Sequence, residues 1–97
     1  MNPFSVRLSV LEYEQAVWAK LVREQRAPEG PLLVTIVVDR LEPLEECLFQ
    51  LEVIAQTKIP KPESRQAARR LAKKVREAFY AANPGILLVA FAGGVGR

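Results

Sequence analysis

One stretch of the sequence admits few alternatives. Between Pro62 and Asn83, Ala68, Leu71, Ala72, Val75, Phe79 and Ala82 recur at three- and four-residue spacings. At about 100° per residue they form a single apolar stripe on one helix face. Such a stripe is stable only when covered, so this helix is expected to lie against the core. On its other side Arg65, Arg69, Lys73, Arg76 and Tyr80 fall within a narrow arc, flanked by Arg70 and Lys74. From Lys58 to Glu77 eight Lys or Arg stand against two Glu, a local balance of +6. Pro62, Glu63 and Ser64 suit the first turn and the positive end of the helix dipole. Asn83, Pro84 and Gly85 end the helix, because proline cannot continue it.

The rest of the chain must supply partners for that stripe. Phe4, Val6, Leu8 and Val10 alternate with Ser5, Arg7 and Ser9, the period-two pattern of an edge strand with one wet face. Ser9 to Glu12 reads as a capping box, predicting a helix from about Val10 to Gln25. Its apolar residues, Val10, Leu11, Tyr13, Val17, Trp18, Leu21 and Val22, span nearly half the circumference, so one edge is expected to serve a second interface. Glu14 lies in that arc but within the first two turns, where it reads as exposed and favoured by the dipole. RAPEGP, 26–31, is a loop.

Leu32 to Val38, LLVTIVV, is β-branched and apolar on both faces, as a covered central strand would be. After Glu42 and Pro43 a second helix is predicted to Gln56, with Leu44, Cys47, Leu48, Leu51, Ile54 and Ala55 on one face. Its outer face carries Glu42, Glu45, Glu46 and Glu52, with Phe49 and Val53 one turn apart among them. Thr57 to Lys61 is a linker, and Ile86 to Ala92 is a third strand, also apolar on both faces. The expected fold is a small α/β (α+β) domain over residues 1–97, in the order β-α-β-α-α-β. Three helices pack on a three-stranded sheet, and 93–97 form a flexible Gly-rich tail. The first βαβ unit is expected to place strands one and two in parallel. A three-stranded sheet has one central position and two strands read as covered, so joining sheets across a homodimer is the expected resolution.

Composition excludes some chemistry. At 97 residues a domain buries about two-thirds of its unfolded surface, which leaves little margin and favours an oligomer. The absence of histidine removes imidazole as metal ligand and general base. Cys47, the single cysteine, falls on an apolar helix face and reads as a buried inert thiol. MNPFSVRLSV has alternation where a signal peptide needs a continuous apolar core, and no apolar run approaches the ~20 residues of a membrane helix. A cytoplasmic protein with no cofactor and no membrane partner is expected. The terminal GGVGR lacks the following helix that a phosphate-cradling loop requires.

Residues 4–24, FSVRLSVLEYEQAVWAKLVRE, resemble the opening of a ribbon-helix-helix DNA-binding protein, in which an alternating strand precedes a serine-capped helix. The resemblance implies that Ser5, Arg7 and Ser9 match that family's base-contacting positions. It stops there, because LLVTIVV stands where the family has its second helix.

Three functional readings follow. The first is a non-catalytic, homo-oligomeric interaction or assembly module, in which acidic and basic helices partner each other within the chain or across a dimer. Phe49 and Val53, with Glu45, Glu46 and Glu52, then mark the contact with a second copy or another protein subunit. The alternative is nucleic-acid binding by helix 62–83, with Arg65, Arg69, Arg70, Lys73, Lys74 and Arg76 on phosphates and Tyr80 stacked on a base. The third, a metal-dependent enzyme, would place a divalent ion on Asp39, beyond the end of a strand, with Glu42 or Glu46.

Overall fold

The computed structural model describes residues 1–22, 34–58 and 61–88. Its elements are β1 (Phe4–Leu8), α1 (Val10–Trp18), β2 (Val34–Val38), α2 (Leu41–Gln56) and α3 (Pro62–Ala82). The fold is a mixed α+β arrangement of three helices and a two-stranded antiparallel sheet among the described residues.

α3 organises it, packing against α1, α2 and β1. Its buried residues, Ala67, Ala68, Leu71, Ala72, Val75 and Phe79, reproduce the stripe read from the sequence, with Ala67 added and Ala82 only half-buried. Small side chains alternate with large ones along this face, which lets neighbours on both flanks approach closely. Leu71, Val75 and Phe79 are fully buried, each contributing about 1.5–3 kcal/mol. Phe79 meets Phe4 of β1 edge-to-face at 6.1 Å.

At the end of α3 the Asn83 side chain is buried and donates to Phe79 O at 3.2 Å and to Asn2 O at 2.9 Å. It also accepts from the Asn2 N–H. The residue that stops the helix therefore fastens the start of the chain to it.

β1 buries Phe4, Val6 and Leu8 and exposes Ser5 and Arg7, as the alternation predicts. The capping box forms in both directions: Glu12 N–H donates to Ser9 Oγ at 3.2 Å, and Ser9 N–H donates to Glu12 Oε1 at 2.9 Å. Glu14 is exposed as expected.

α1 is shorter than its periodicity suggests. It ends at Trp18, where Lys20 N–H donates to Val17 O and Leu21 N–H to Ala16 O, at 3.0 and 2.9 Å. That pair of bonds is a Schellman cap, with Lys20 at φ 62° in the position that favours glycine. Leu21 and Val22 continue the helical spacing in sequence but leave the helix. Having turned, they pack against the core, which draws the chain through a conformation a lysine adopts at a cost.

Two expectations for the sheet are corrected, and a third is not met over the residues described. β1 and β2 run antiparallel, with Phe4 opposite Val38 and Leu8 opposite Val34. The parallel expectation assumed a crossover helix reaching Gln25, whereas α1 spans nine residues and ends at Trp18. β2 is not covered on both faces: Ile36 and Val38 are buried, whereas Thr35 is exposed and Val37 is 66% exposed. The third strand is absent over residues 86–88, where Ile86 N–H bonds Asn83 O at 3.1 Å and Leu88 N–H bonds Tyr80 Oη at 3.1 Å. Its remainder, 89–92, lies outside the described residues, as do Leu32, Leu33 and the Gly-rich end.

α2 begins at Leu41, ahead of Pro43, because a proline in the first turn forgoes an N–H that has no intrahelical partner. Leu44, Cys47, Leu48, Leu51 and Ala55 are buried and Ile54 is half-buried, the face the sequence assigns to the core.

Candidate functional site

The basic helix is where charge meets the rest of the molecule, and its cations divide between two seams. Arg70 and Lys74, one turn apart, border the buried stripe on the side of α1 and β1. Both reach Glu12, whose side chain is 3% exposed: Arg70 Nε lies 3.0 Å from Oε2 and Lys74 Nζ 2.6 Å from Oε1. Lys74 also donates to Arg7 O at 3.1 Å. The Glu12 carboxylate thus accepts from the Ser9 backbone, Arg70 and Lys74 together. Burial alone would raise its pKa, but these hydrogen bonds, with the Lys74 charge, outweigh burial and hold it below its ordinary value.

Arg69 and Arg76 border the stripe on the side of α2. Arg69 donates to Ala55 O near the end of α2 at 2.9 Å, and Arg76 approaches Glu52 at 4.0 Å. Glu52 also accepts from Gln56 at 3.1 Å, and Glu46 from Gln50 at 3.2 Å. The acidic and basic helices are therefore neighbours within one chain. Arg65 is half-buried and engaged, and Lys73 is exposed with no hydrogen bond or ion pair among the described residues. Tyr80 takes the Leu88 N–H on its hydroxyl and sets its ring edge-to-face on Phe79 at 5.3 Å.

The ribbon-helix-helix reading of Ser9 as a base contact does not fit its placement. The Ser9 side chain caps α1, and β1 pairs with β2 of its own chain. Ser5 and Arg7 do face outward.

Large apolar side chains remain on the surface. Phe49 and Val53 on α2 are 38% and 42% exposed. Leu11 and Trp18 occupy one outward edge of α1, seven residues apart, with Trp18 77% exposed. This is the edge that the wide apolar arc of α1 predicts to be left over from the core. Trp18 also borders a cleft of about 340 Å³ with Ala19, Lys20, Pro43, Glu46, Cys47 and Gln50. The Cys47 thiol in its wall is buried, and burial, with the Glu46 charge nearby, pushes it up to about 11. It stays protonated near neutral pH and is a poor nucleophile.

Asp39 is exposed beyond β2. Among the described residues no group of three acidic or sulfur side chains converges to hold a metal ion, and no helix is long and apolar enough to cross a membrane.

Sequence reasoning finds the cations and the capping box but misses Glu12 as their meeting point. The signal is present in outline. Arg70 and Lys74 sit at the border of the apolar stripe and not at the centre of the basic arc, so they reach an adjoining element more readily than solvent. Compared with protein-family models, curated proteins and solved structures, the chain matches none.

Proposed function

We propose that this chain is a non-catalytic interaction module that self-associates as a homodimer through the outer face of α2. The observation that carries the reading is the pair Phe49 and Val53, 38% and 42% exposed one turn apart on a face shared with Glu42, Glu45, Glu46 and Glu52. Within the chain, α2 and α3 already lie side by side, with Arg76 and Glu52 4.0 Å apart, so their opposite charges need no second copy to meet. Apolar area remains for the contact between chains, and acidic residues around it supply the polar rim that such contacts carry.

Sedimentation velocity tests the reading. The wild type is expected at twice its 10.9 kDa chain mass, and Phe49→Ser with Val53→Ser is expected at the single-chain mass with an unchanged circular dichroism spectrum. A wild type that stays monomeric at high micromolar concentration would remove the proposal.

The alternative, nucleic-acid binding by α3, rests on Lys73 and the half-exposed Arg70 and Lys74. It predicts anisotropy changes with labelled oligonucleotides that weaken linearly in log salt. It also predicts that Lys73→Glu weakens binding while leaving the oligomeric mass unchanged.

A further inference from the structure

Arg70 and Lys74 differ from other surface cations in what holds them. Long basic side chains normally lose rotamer freedom when they grip a ligand, which weakens binding. Here the buried Glu12 carboxylate has already fixed both, at 3.0 and 2.6 Å. It does so without exhausting their donors. Arg70 engages Glu12 through Nε, and among the described residues its two terminal nitrogens make no hydrogen bond. Lys74 places two of its three protons, on Glu12 Oε1 and Arg7 O. The side chains remain 49% and 40% exposed, so the remaining donors are open to solvent from adjacent turns of one helix. Two cations against one carboxylate leave a surplus of positive charge. Glu77, on the next turn, moderates it.

We propose that Arg70 and Lys74, pre-positioned by Glu12, form a binding site for a phosphate group. The guanidinium end offers a two-donor fork matched to two phosphate oxygens, and the ammonium supplies a point charge to a third. This goes beyond self-association and does not depend on it, since the site lies on the α1 and β1 side of α3.

Glu12 separates pre-positioning from plain electrostatics. Removing its charge should strengthen anion binding if attraction alone matters, and weaken it if Glu12 holds the donors in place. The experiment is an NMR titration of the full chain with inorganic phosphate against chloride at fixed ionic strength, reading the Arg70 Nε–H and the backbone amides of α3. A saturable shift at Arg70 is expected, with affinity falling about tenfold in Arg70→Gln and weakening in Glu12→Gln. Lys74→Gln should weaken binding while Lys61→Gln, which removes an exposed charge at the start of α3, leaves it unchanged. That pair keeps the test decisive if Glu12→Gln does not fold. A shift that does not saturate, stronger binding in Glu12→Gln, or equal losses in Lys61→Gln and Lys74→Gln would overturn the proposal. A parallel titration with an oligonucleotide lacking terminal phosphates assigns the source: binding of both ligands means that any phosphoryl group is accepted, and binding of phosphate alone means a free phosphate or small phosphate ester.

Discussion

The two seams of α3 use the same kinds of residue to different ends. Toward α1 and β1, a carboxylate with 3% of its side chain exposed takes two cations at 2.6 and 3.0 Å. Toward α2, Arg76 and Glu52 stand 4.0 Å apart with 40% and 26% exposure. Water screens the second pair and competes for both partners, so its contribution is small. At the first, solvent has been removed from one partner, and what that partner accepts decides whether its burial is tolerable. Charge pattern alone does not distinguish the seams. The burial of one carboxylate does.

Breaking the seams should expose the difference. The largest effect is expected from Arg70→Met with Lys74→Met, which leaves Glu12 buried without cations and should lower stability by ~3–5 kcal/mol. Urea denaturation followed by circular dichroism would measure it. Glu12→Gln is expected to cost less, about 2 kcal/mol, because the cations left behind are half-exposed and regain water. If the order of these two variants were reversed, burial of the carboxylate would not be the deciding factor.

Acid should act on one seam selectively. The folded Glu12 carboxyl lies below its ordinary value of 4.5, so its contribution is fully present above that value and is lost as pH falls through the lower, folded one. Wild-type stability should therefore drop more steeply below pH 4.5 than that of Glu12→Gln in urea titrations at stepped pH. Parallel curves would mean that Glu12 is not the responsible group.

Two smaller effects sharpen the contrast. Lys20→Gly should raise stability by about 1 kcal/mol by relieving the left-handed cap that ends α1, readable as a higher thermal midpoint. Arg76→Met should lower stability by less than ~1 kcal/mol, with the difference vanishing in high salt.

What was legible in the sequence follows from the range of the interactions involved. The stripe of α3, the core face of α2 and the capping box at Ser9 are set by residues within a few positions of each other, and each is found where periodicity places it. Strand direction is not local. It rests on the pairing of residues some thirty positions apart, while α1 ends at Trp18 with Lys20 at φ 62° and Leu21 and Val22 pack on the core beyond it. LLVTIVV reads as covered on both faces because apolar composition reports what a strand tolerates, whereas coverage depends on its neighbours, and Val37 faces outward. Of the candidate site, the cations were visible but their partner was not. Glu12 already has a role in the cap, and a single sequence gives no sign that its carboxylate also accepts from α3, residues 58 and 62 positions away.

The most direct measurement is a pair of double-mutant cycles in urea, Glu12→Gln with Lys74→Met on one seam and Glu52→Gln with Arg76→Met on the other. A coupling above ~1 kcal/mol for the first and one near zero for the second is expected. Equal couplings would contradict the assignment of α3's basic residues to a buried seam and a solvated one.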